Sequence, residues 1–176
     1  IITFAIPLFF GLILIEFFYG VITKQNNYRI NDAITSMSLG LISRFVPILG
    51  LGFQYVVYKA VAEHYNFNLL NGEEVWVWVT AFVLYDVCYY WMHRIHHEIK
   101  VFWATHVVHH HGEEFNLSTA LRQTSTGFLW KWVFFLPMFI IGIPPHIYVS
   151  VAGLNLVYQF WVHTEHIGRL GFLEYI

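Results

Sequence analysis

The histidines of this chain are clustered at spacings that suit metal binding. Seven of the eleven lie between positions 93 and 111, where they form the motifs His93-x3-His97 and His106-x2-His109-His110. Residues three or four apart share one face of a helix, so each motif predicts imidazoles that converge on a metal ion. Neutral imidazole is the commonest protein metal ligand. A solvated histidine-rich turn is the alternative, and two interlocking motifs weigh against it.

An acidic and a phenolic side chain extend the face of the first motif towards the N-terminus. They are Asp86 and Tyr90. An acid inside an apolar span is costly and is usually paired or functional. We therefore predict that Asp86 accepts a hydrogen bond from the second nitrogen of a ligand imidazole; a structural pairing with Arg44 or a tyrosine hydroxyl is the alternative. Glu98, which follows the first motif directly, is the preferred proton-handling candidate.

A polar stripe near the C-terminus supplies a third group of candidates. Asn155, Gln159, His163 and His166 follow one another at intervals of four, four and three residues. We predict that His163 is an additional metal ligand, with Glu165 or His166 in support. Hydrogen bonding between helices explains the two amides equally well.

The number of candidate ligands bears on how many metal ions are bound. A structural zinc ion needs four ligands, and five or six histidines in paired clusters predict two ions. Imidazole suits iron, zinc, copper and nickel, so ligand type does not choose among them. Two redox metals beside a lipid phase suggest oxygen chemistry on a buried C–H bond.

The composition is that of a membrane protein. The chain is 57% hydrophobic and 11% charged, with a mean hydropathy of +0.55, whereas soluble domains carry about 25% charged residues. No basic run indicates nucleic acid binding, and the single cysteine excludes an intrachain disulfide.

Apolar segments predict the fold class: an all-α, multi-pass integral membrane helical bundle with a cytosolic histidine-rich di-metal site. We expect one domain, 1–176, truncated at both ends. The predicted spans are 1–22, 33–62 (possibly broken), 75–92, 128–141 and 147–162, the last two forming a hairpin about Pro144-Pro145.

The charges of the connecting loops predict a topology. Segments 23–32 and 93–127 carry lysine and arginine. Segment 63–74 carries three glutamates and has no lysine or arginine. By the positive-inside rule, the basic segments and the histidine motifs face the cytosol. We expect the endoplasmic reticulum membrane.

Several strings resemble a known group of proteins. The histidine motifs just after a span resemble the fatty acid hydroxylase/sterol desaturase superfamily of membrane di-iron oxygenases. More narrowly, the chain from about Tyr28 onwards is similar to the alkylglycerol monooxygenase family. The strings that carry this resemblance are Asn31–Ser36, Tyr89–Arg94, Asn116–Gln123 and Gln159–Glu165.

The resemblance implies a tetrahydrobiopterin-dependent monooxygenase that acts on a lipid with O2. It would hydroxylate the alkyl carbon next to the glyceryl ether oxygen, and the hemiacetal would then break down to a fatty aldehyde and a glycerol derivative. By motif, the ligands of two iron ions would be His93, His97, His106, His109 and His110, with His163 as the matching later histidine. The superfamily's third histidine motif is expected just beyond Ile176, so the sequence predicts a fragment of an active enzyme; a degenerate homologue is the alternative.

Other functions stay open on the sequence alone. A sterol or sphingolipid desaturase or hydroxylase of the same superfamily would use a haem electron donor instead of a pterin. A histidine-lined metal transporter is a more remote alternative, because the cluster follows a span instead of lying inside several. The oligomeric state is not indicated by the sequence.

Overall fold

The fold is helical throughout the part of the chain that this computed structural model describes, residues 2–70 and 72–172. Its α-helices are α1 (Ile2–Thr23), α2 (Ile30–His64), α3 (Val75–Glu98), α4 (Lys100–His110), α5 (Lys131–Ile141) and α6 (Pro145–Phe160). Short 3-10 turns lie at Thr119–Leu121 and Gly127–Leu129, and no strand occurs among the described residues. The predicted all-α fold class is confirmed there; residue 1 of the predicted first span lies outside these ranges.

Among the described residues, two helical segments are long and apolar enough to cross a membrane: Ala5–Thr23 within α1, and all of α3. Large apolar side chains on these helices point outwards, among them Ile15, Ile22 and Val75. This distribution suits helices that face lipid and differs from that of a soluble core helix. The two helices therefore suggest association with a membrane.

The other predicted spans correspond to helices with somewhat different bounds. α2 is continuous over its 35 residues, without the break considered within 33–62. α5 and α6 have 11 and 16 residues, fewer than the about 20 that a perpendicular spanning helix needs.

The turn between α5 and α6 has the end signals of a helical hairpin. Gly142 ends α5 in the left-handed region (φ 116°), where a side chain would also collide with Asn66 and Asn68. Pro145 begins α6, where its missing N–H costs nothing. The N–H groups of Phe67 and Leu69 donate to the last carbonyls of α5, so the 66–69 loop caps that helix.

Two apolar clusters hold the helices together. The first lies between α3, α5 and α6 and contains Val77, Met92, Phe135 and Ile147. The second joins α1 to the end of α6, where Phe9 stacks on Phe160 with ring centroids 4.1 Å apart.

The polar loop, residues 111–123, closes over the connector between α1 and α2. Asn116 Nδ2 donates to the Asn27 carbonyl (2.7 Å), and Asn27 Nδ2 donates to the Phe115 carbonyl (3.0 Å). The Leu117 N–H donates to the carboxylate of Glu16, a buried acid on α1 (2.8 Å). The two basic segments of the sequence therefore lie at the same end of the molecule, beside the histidines.

Candidate metal centre

Four imidazoles from two consecutive helices meet at one point. α3 ends and α4 begins at Ile99, whose extended backbone turns the chain between them. His93 and His97 face each other from the last turns of α3, with Nε2 atoms 3.1 Å apart. His106 and His110 do the same on α4, also at 3.1 Å. One ring nitrogen from each of the four lies within 4.8 Å of the others.

This donor set fits a transition-metal ion. Imidazole is a good ligand for iron, zinc, copper and nickel. All four donors are imidazoles, and the Nε2 atoms within each helical pair lie 3.1 Å apart. The residues present therefore fit iron without selecting it over the other three metals.

His109 turns away from this cluster and pairs with His163. Their Nε2 atoms are 3.3 Å apart. The Nδ1 of His109 lies 2.8 Å from the Arg122 carbonyl, and the Nδ1 of His163 lies 2.9 Å from the Gln159 carbonyl. A carbonyl only accepts, so each Nδ1 carries the proton and each neutral ring has a bare Nε2. Two lone pairs that face each other repel unless a cation lies between them, so this pair also fits a metal ion.

The candidate ligands on α4 and after α6 are neutral imidazoles, the protonation state that binds metal. Desolvation lowers the pKa of His106 to about 2 and that of His109 to about 4. Burial also lowers the pKa values of His110 and His163. These rings are therefore neutral at physiological pH, where a ligand must offer a free lone pair.

The three histidines of the second motif do not all face the same site, although the sequence predicted that they would. His106, His109 and His110 were expected to converge on one arc of a helix. His106 and His110, four residues apart, do converge with the first motif, whereas His109 is rotated towards α6 and His163. The remaining histidine of the first stretch, His96, is 1% exposed and packs against aromatic rings of the neighbouring helices.

Asp86 lies near the histidines but has a different partner from the one predicted. It accepts a hydrogen bond from Asn155 Nδ2 (3.0 Å), and Asn155 Oδ1 accepts one from Gln159 Nε2 (2.6 Å). The two amides thus form the hydrogen bonds between and along helices that were the alternative for them. Asp86 is linked to the ring of His163 indirectly, through Asn155 and then Gln159.

The other three candidates occupy distinct surroundings. The hydroxyl of Tyr90 accepts a hydrogen bond from Arg94 (3.1 Å). Glu98 accepts one from the same arginine (2.8 Å), four residues earlier on the helix. Glu165 is exposed and lies in the wall of a cavity beside His163.

Two cavities open onto the His109–His163 pair. The larger, about 680 Å³, is lined by polar groups that include Asp86, Tyr90, Glu114 and Glu165. The smaller, about 280 Å³, lies between α1, α2 and α6 and has mainly apolar walls; those walls include Phe9, Phe10, Met37, Leu41 and Leu156. Both cavities share Tyr89, His109, Gln159 and His163.

Sequence reasoning missed two contributors to this region. Tyr89 lies in the walls of both cavities, and the only signal for it was its place beside Tyr90. Arg122 holds His109 through its carbonyl. Arg122 lies within Asn116–Gln123, one of the strings that carry the family resemblance, but nothing in the sequence indicated its role.

The geometry defines a helical protein with a candidate all-imidazole metal site, and comparison with known proteins gives its family. The fatty acid hydroxylase family matches residues 78–176, and the chain therefore belongs to that family. Similar curated proteins are the alkylglycerol monooxygenases of Danio rerio (41% identical), Homo sapiens (40%) and Xenopus tropicalis (38%). These matches cover 98%, 98% and 96% of this chain and 39%, 39% and 37% of the relatives.

The chain thus spans about two fifths of the length of the curated relatives that it matches. No solved structure matches it.

Proposed function

We propose that this chain is the histidine-bearing part of a membrane di-iron monooxygenase that cleaves the ether bond of alkylglycerols. One observation carries the proposal: the four-imidazole cluster occurs in a chain 38–41% identical to alkylglycerol monooxygenases over nearly its whole length. Hydroxylation of the carbon next to the ether oxygen would give a hemiacetal, which breaks down to a fatty aldehyde and a glycerol derivative.

Iron at this site would supply the activation of O2 for insertion into a C–H bond. His93, His97, His106 and His110 would hold one ion, and the geometry of the His109–His163 pair supports a second. The surrounding carbonyls keep the Nε2 atoms of that pair unprotonated, so they are ready to bind without loss of a proton.

The two cavities support a lipid that has one apolar and one polar end. An alkyl chain fits the smaller cavity, whose walls of Phe9, Phe10, Met37 and Leu156 bury apolar surface favourably. A glycerol headgroup fits the larger cavity, where hydroxyl, amide and carboxylate groups can satisfy its hydroxyls. The ether carbon joins the two halves of an alkylglycerol, so it would lie at the shared His109–His163 position.

The carboxylates and the phenol near the centre are proposed to handle protons and orient the substrate. Glu165 and Tyr90 line the larger cavity and can reach a polar headgroup there. Asp86 would act through Asn155 and Gln159 to steady the end of α6. Glu98 faces Arg94, which itself lines the cavity, so its action would be indirect.

A tetrahydrobiopterin reductant and a cytosolic site on the endoplasmic reticulum membrane complete the proposal. Hydroxylation by O2 consumes two reducing equivalents, which the pterin would provide. The α1–α2 connector packs against the polar loop at the end of the molecule that carries the histidines. Ion pairs of Arg29 with Glu113 and Glu114 join the two segments. The glutamate-rich 63–74 segment lies at the other end of α3, which is roughly 36 Å long at 1.5 Å per residue. Basic and acidic loops thus lie at opposite ends of α3, and this supports the alternation of loop charge from which the cytosolic side was predicted.

The test is turnover of a long-chain alkylglycerol by the full-length protein in membranes, with and without tetrahydrobiopterin and O2. We expect fatty aldehyde only when both are present, and none from His93→Ala protein that still inserts into membranes. Activity that needs cytochrome b5 instead of the pterin, on a sterol or sphingolipid, would refute the proposed substrate and reductant. Normal turnover by His93→Ala would refute the metal site.

A further inference from the structure

Arg122 is a buried cation that the proposed chemistry does not use. It is 5% exposed within the polar loop. Its Nη1 donates to Asp32 Oδ1 (2.9 Å) and to Ser36 Oγ (3.2 Å), both on the first turns of α2. Its Nε donates to the Val108 carbonyl on the last turn of α4 (3.0 Å). One guanidinium therefore joins α2 to the end of the helix that carries the second histidine motif.

The main chain of the same residue reaches the metal ligand directly. The Arg122 carbonyl accepts the hydrogen bond from Nδ1 of His109 at 2.8 Å. Its side chain holds the carbonyl of Val108, the residue immediately before His109. Arg122 thus fixes both the backbone that enters His109 and the orientation of the His109 ring.

The ion pair with Asp32 is poorly explained by stability alone. Both side chains are almost buried, and the second carboxylate oxygen of Asp32 is buried with no hydrogen-bond partner among the described residues. Desolvation of two charges often cancels their attraction, so a well-packed apolar pair of similar size is about as stable or more so. A role in geometry accounts for the arrangement better than a role in folding.

We propose that Arg122, anchored by Asp32, is the positioning residue that sets His109 for metal binding at the His109–His163 pair. The inference rests on the metal-binding role given to that pair under the proposed function. Removal of a partner that orients a ligand imidazole typically lowers metal affinity by about 10–100-fold. Arg122 makes no hydrogen bond to a ring of the four-imidazole cluster among the described residues; its ring contact is with His109 alone. The affinity of that cluster should therefore not change.

Cobalt(II) is the probe, added to metal-free full-length protein in detergent and followed by visible absorbance and by metal content. Wild-type protein should bind two ions, and His163→Ala identifies the step that belongs to the His109 pair. Arg122→Lys keeps the charge beside Asp32 but loses the planar fork that also reaches Val108. The double variant Asp32→Leu/Arg122→Met replaces the ion pair with apolar side chains.

A matched control contacts the same loop from the connector between α1 and α2. Arg29 pairs with Glu113 and Glu114, but its side chain is 63% exposed, and exposed pairs contribute little. Arg29→Met should bind both cobalt ions as wild type does.

The expected result is a Kd raised about 10–100-fold for the His163-dependent ion alone in both Arg122 variants, with the melting temperature of the metal-free protein retained. Wild-type affinity for both ions in Arg122→Lys and in the double variant would overturn the inference. Equal weakening of both ions, or loss of both with a lowered melting temperature, would also overturn it, because Arg122 would then hold the fold in general. Wild-type protein that binds no His163-dependent ion would overturn the second metal site of the proposed function as well.

Discussion

Acid should destabilise the metal-free protein through buried histidines that folding keeps neutral, among which His106 and His109 have the largest pKa shifts of those outside the spans. The pKa of His106 is lowered to about 2 and that of His109 to about 4 by burial, whereas an unfolded chain titrates near 6.5. The unfolded state therefore binds about two more protons than the folded state between roughly pH 5 and 6. The stability from these groups is present above about pH 6.5 and is lost as the pH falls, down to about 4 for His109 and about 2 for His106.

The size of the effect follows from proton counting. Each extra proton on the unfolded state changes the free energy of unfolding by about 1.4 kcal/mol per pH unit. His106 and His109 together should contribute a slope of about 2.7 kcal/mol per pH unit in this window. In His106→Gln, which cannot titrate, the slope should fall by about 1.4 kcal/mol per pH unit.

The assay is urea unfolding of metal-free protein in detergent at several pH values between 5 and 6. Thr105→Val is the control, because it perturbs the same helix without removing a titrating group. It should shift the free energy of unfolding at every pH and leave the slope unchanged. A His106→Gln slope equal to that of the parent would refute the reasoning, since His106 would then take up its proton in the folded state.

Further changes probe the ligand pairing, the apolar cavity and the carboxylates. His163→Ala should reduce bound cobalt from two ions to one, because it removes one of two Nε2 atoms 3.3 Å apart; two ions retained, by metal analysis, would contradict the pairing. Leu156→Trp should fill part of the smaller cavity and raise KM for a long-chain alkylglycerol by about tenfold or more, the equivalent of about 1.4 kcal/mol, with little effect on a short-chain one; equal effects on both would argue against chain binding there. Glu165→Gln should slow turnover more than Glu98→Gln, because Glu165 lines the cavity and Glu98 faces Arg94; the reverse order in the aldehyde assay would restore Glu98 as the proton-handling residue.

The helical fold and its hairpin were predictable from local signals. Long apolar runs predicted α1 and α3, and Pro144-Pro145 predicted the turn between α5 and α6. Helix α5 begins three residues later than the predicted span 128–141, because the 3-10 turn at Gly127–Leu129 shares the apolar composition of the helix. The prediction of a multi-pass membrane bundle stays a prediction, supported by two candidate helices.

The contact of Asp86 shows a limit of helical periodicity. Its spacing from His93 and His97 placed it on their face, and it does lie in the same cavity wall. Its hydrogen bond nevertheless goes to Asn155 on α6. Which group a side chain meets across a helix interface depends on the rotation and height of the second helix, and neither is encoded in the first helix alone.

The sequence by itself determined the pairs that share a helix. His93 with His97, and His106 with His110, are four residues apart, and helical geometry brings such rings together without any other contact. Only the tertiary structure decided that these pairs meet across the turn at Ile99. It also decided that His109 faces His163, 54 residues later. That contact needs α6 packed on α3 and the polar loop held by Arg122, and long-range packing of this kind leaves no periodic signal in the chain.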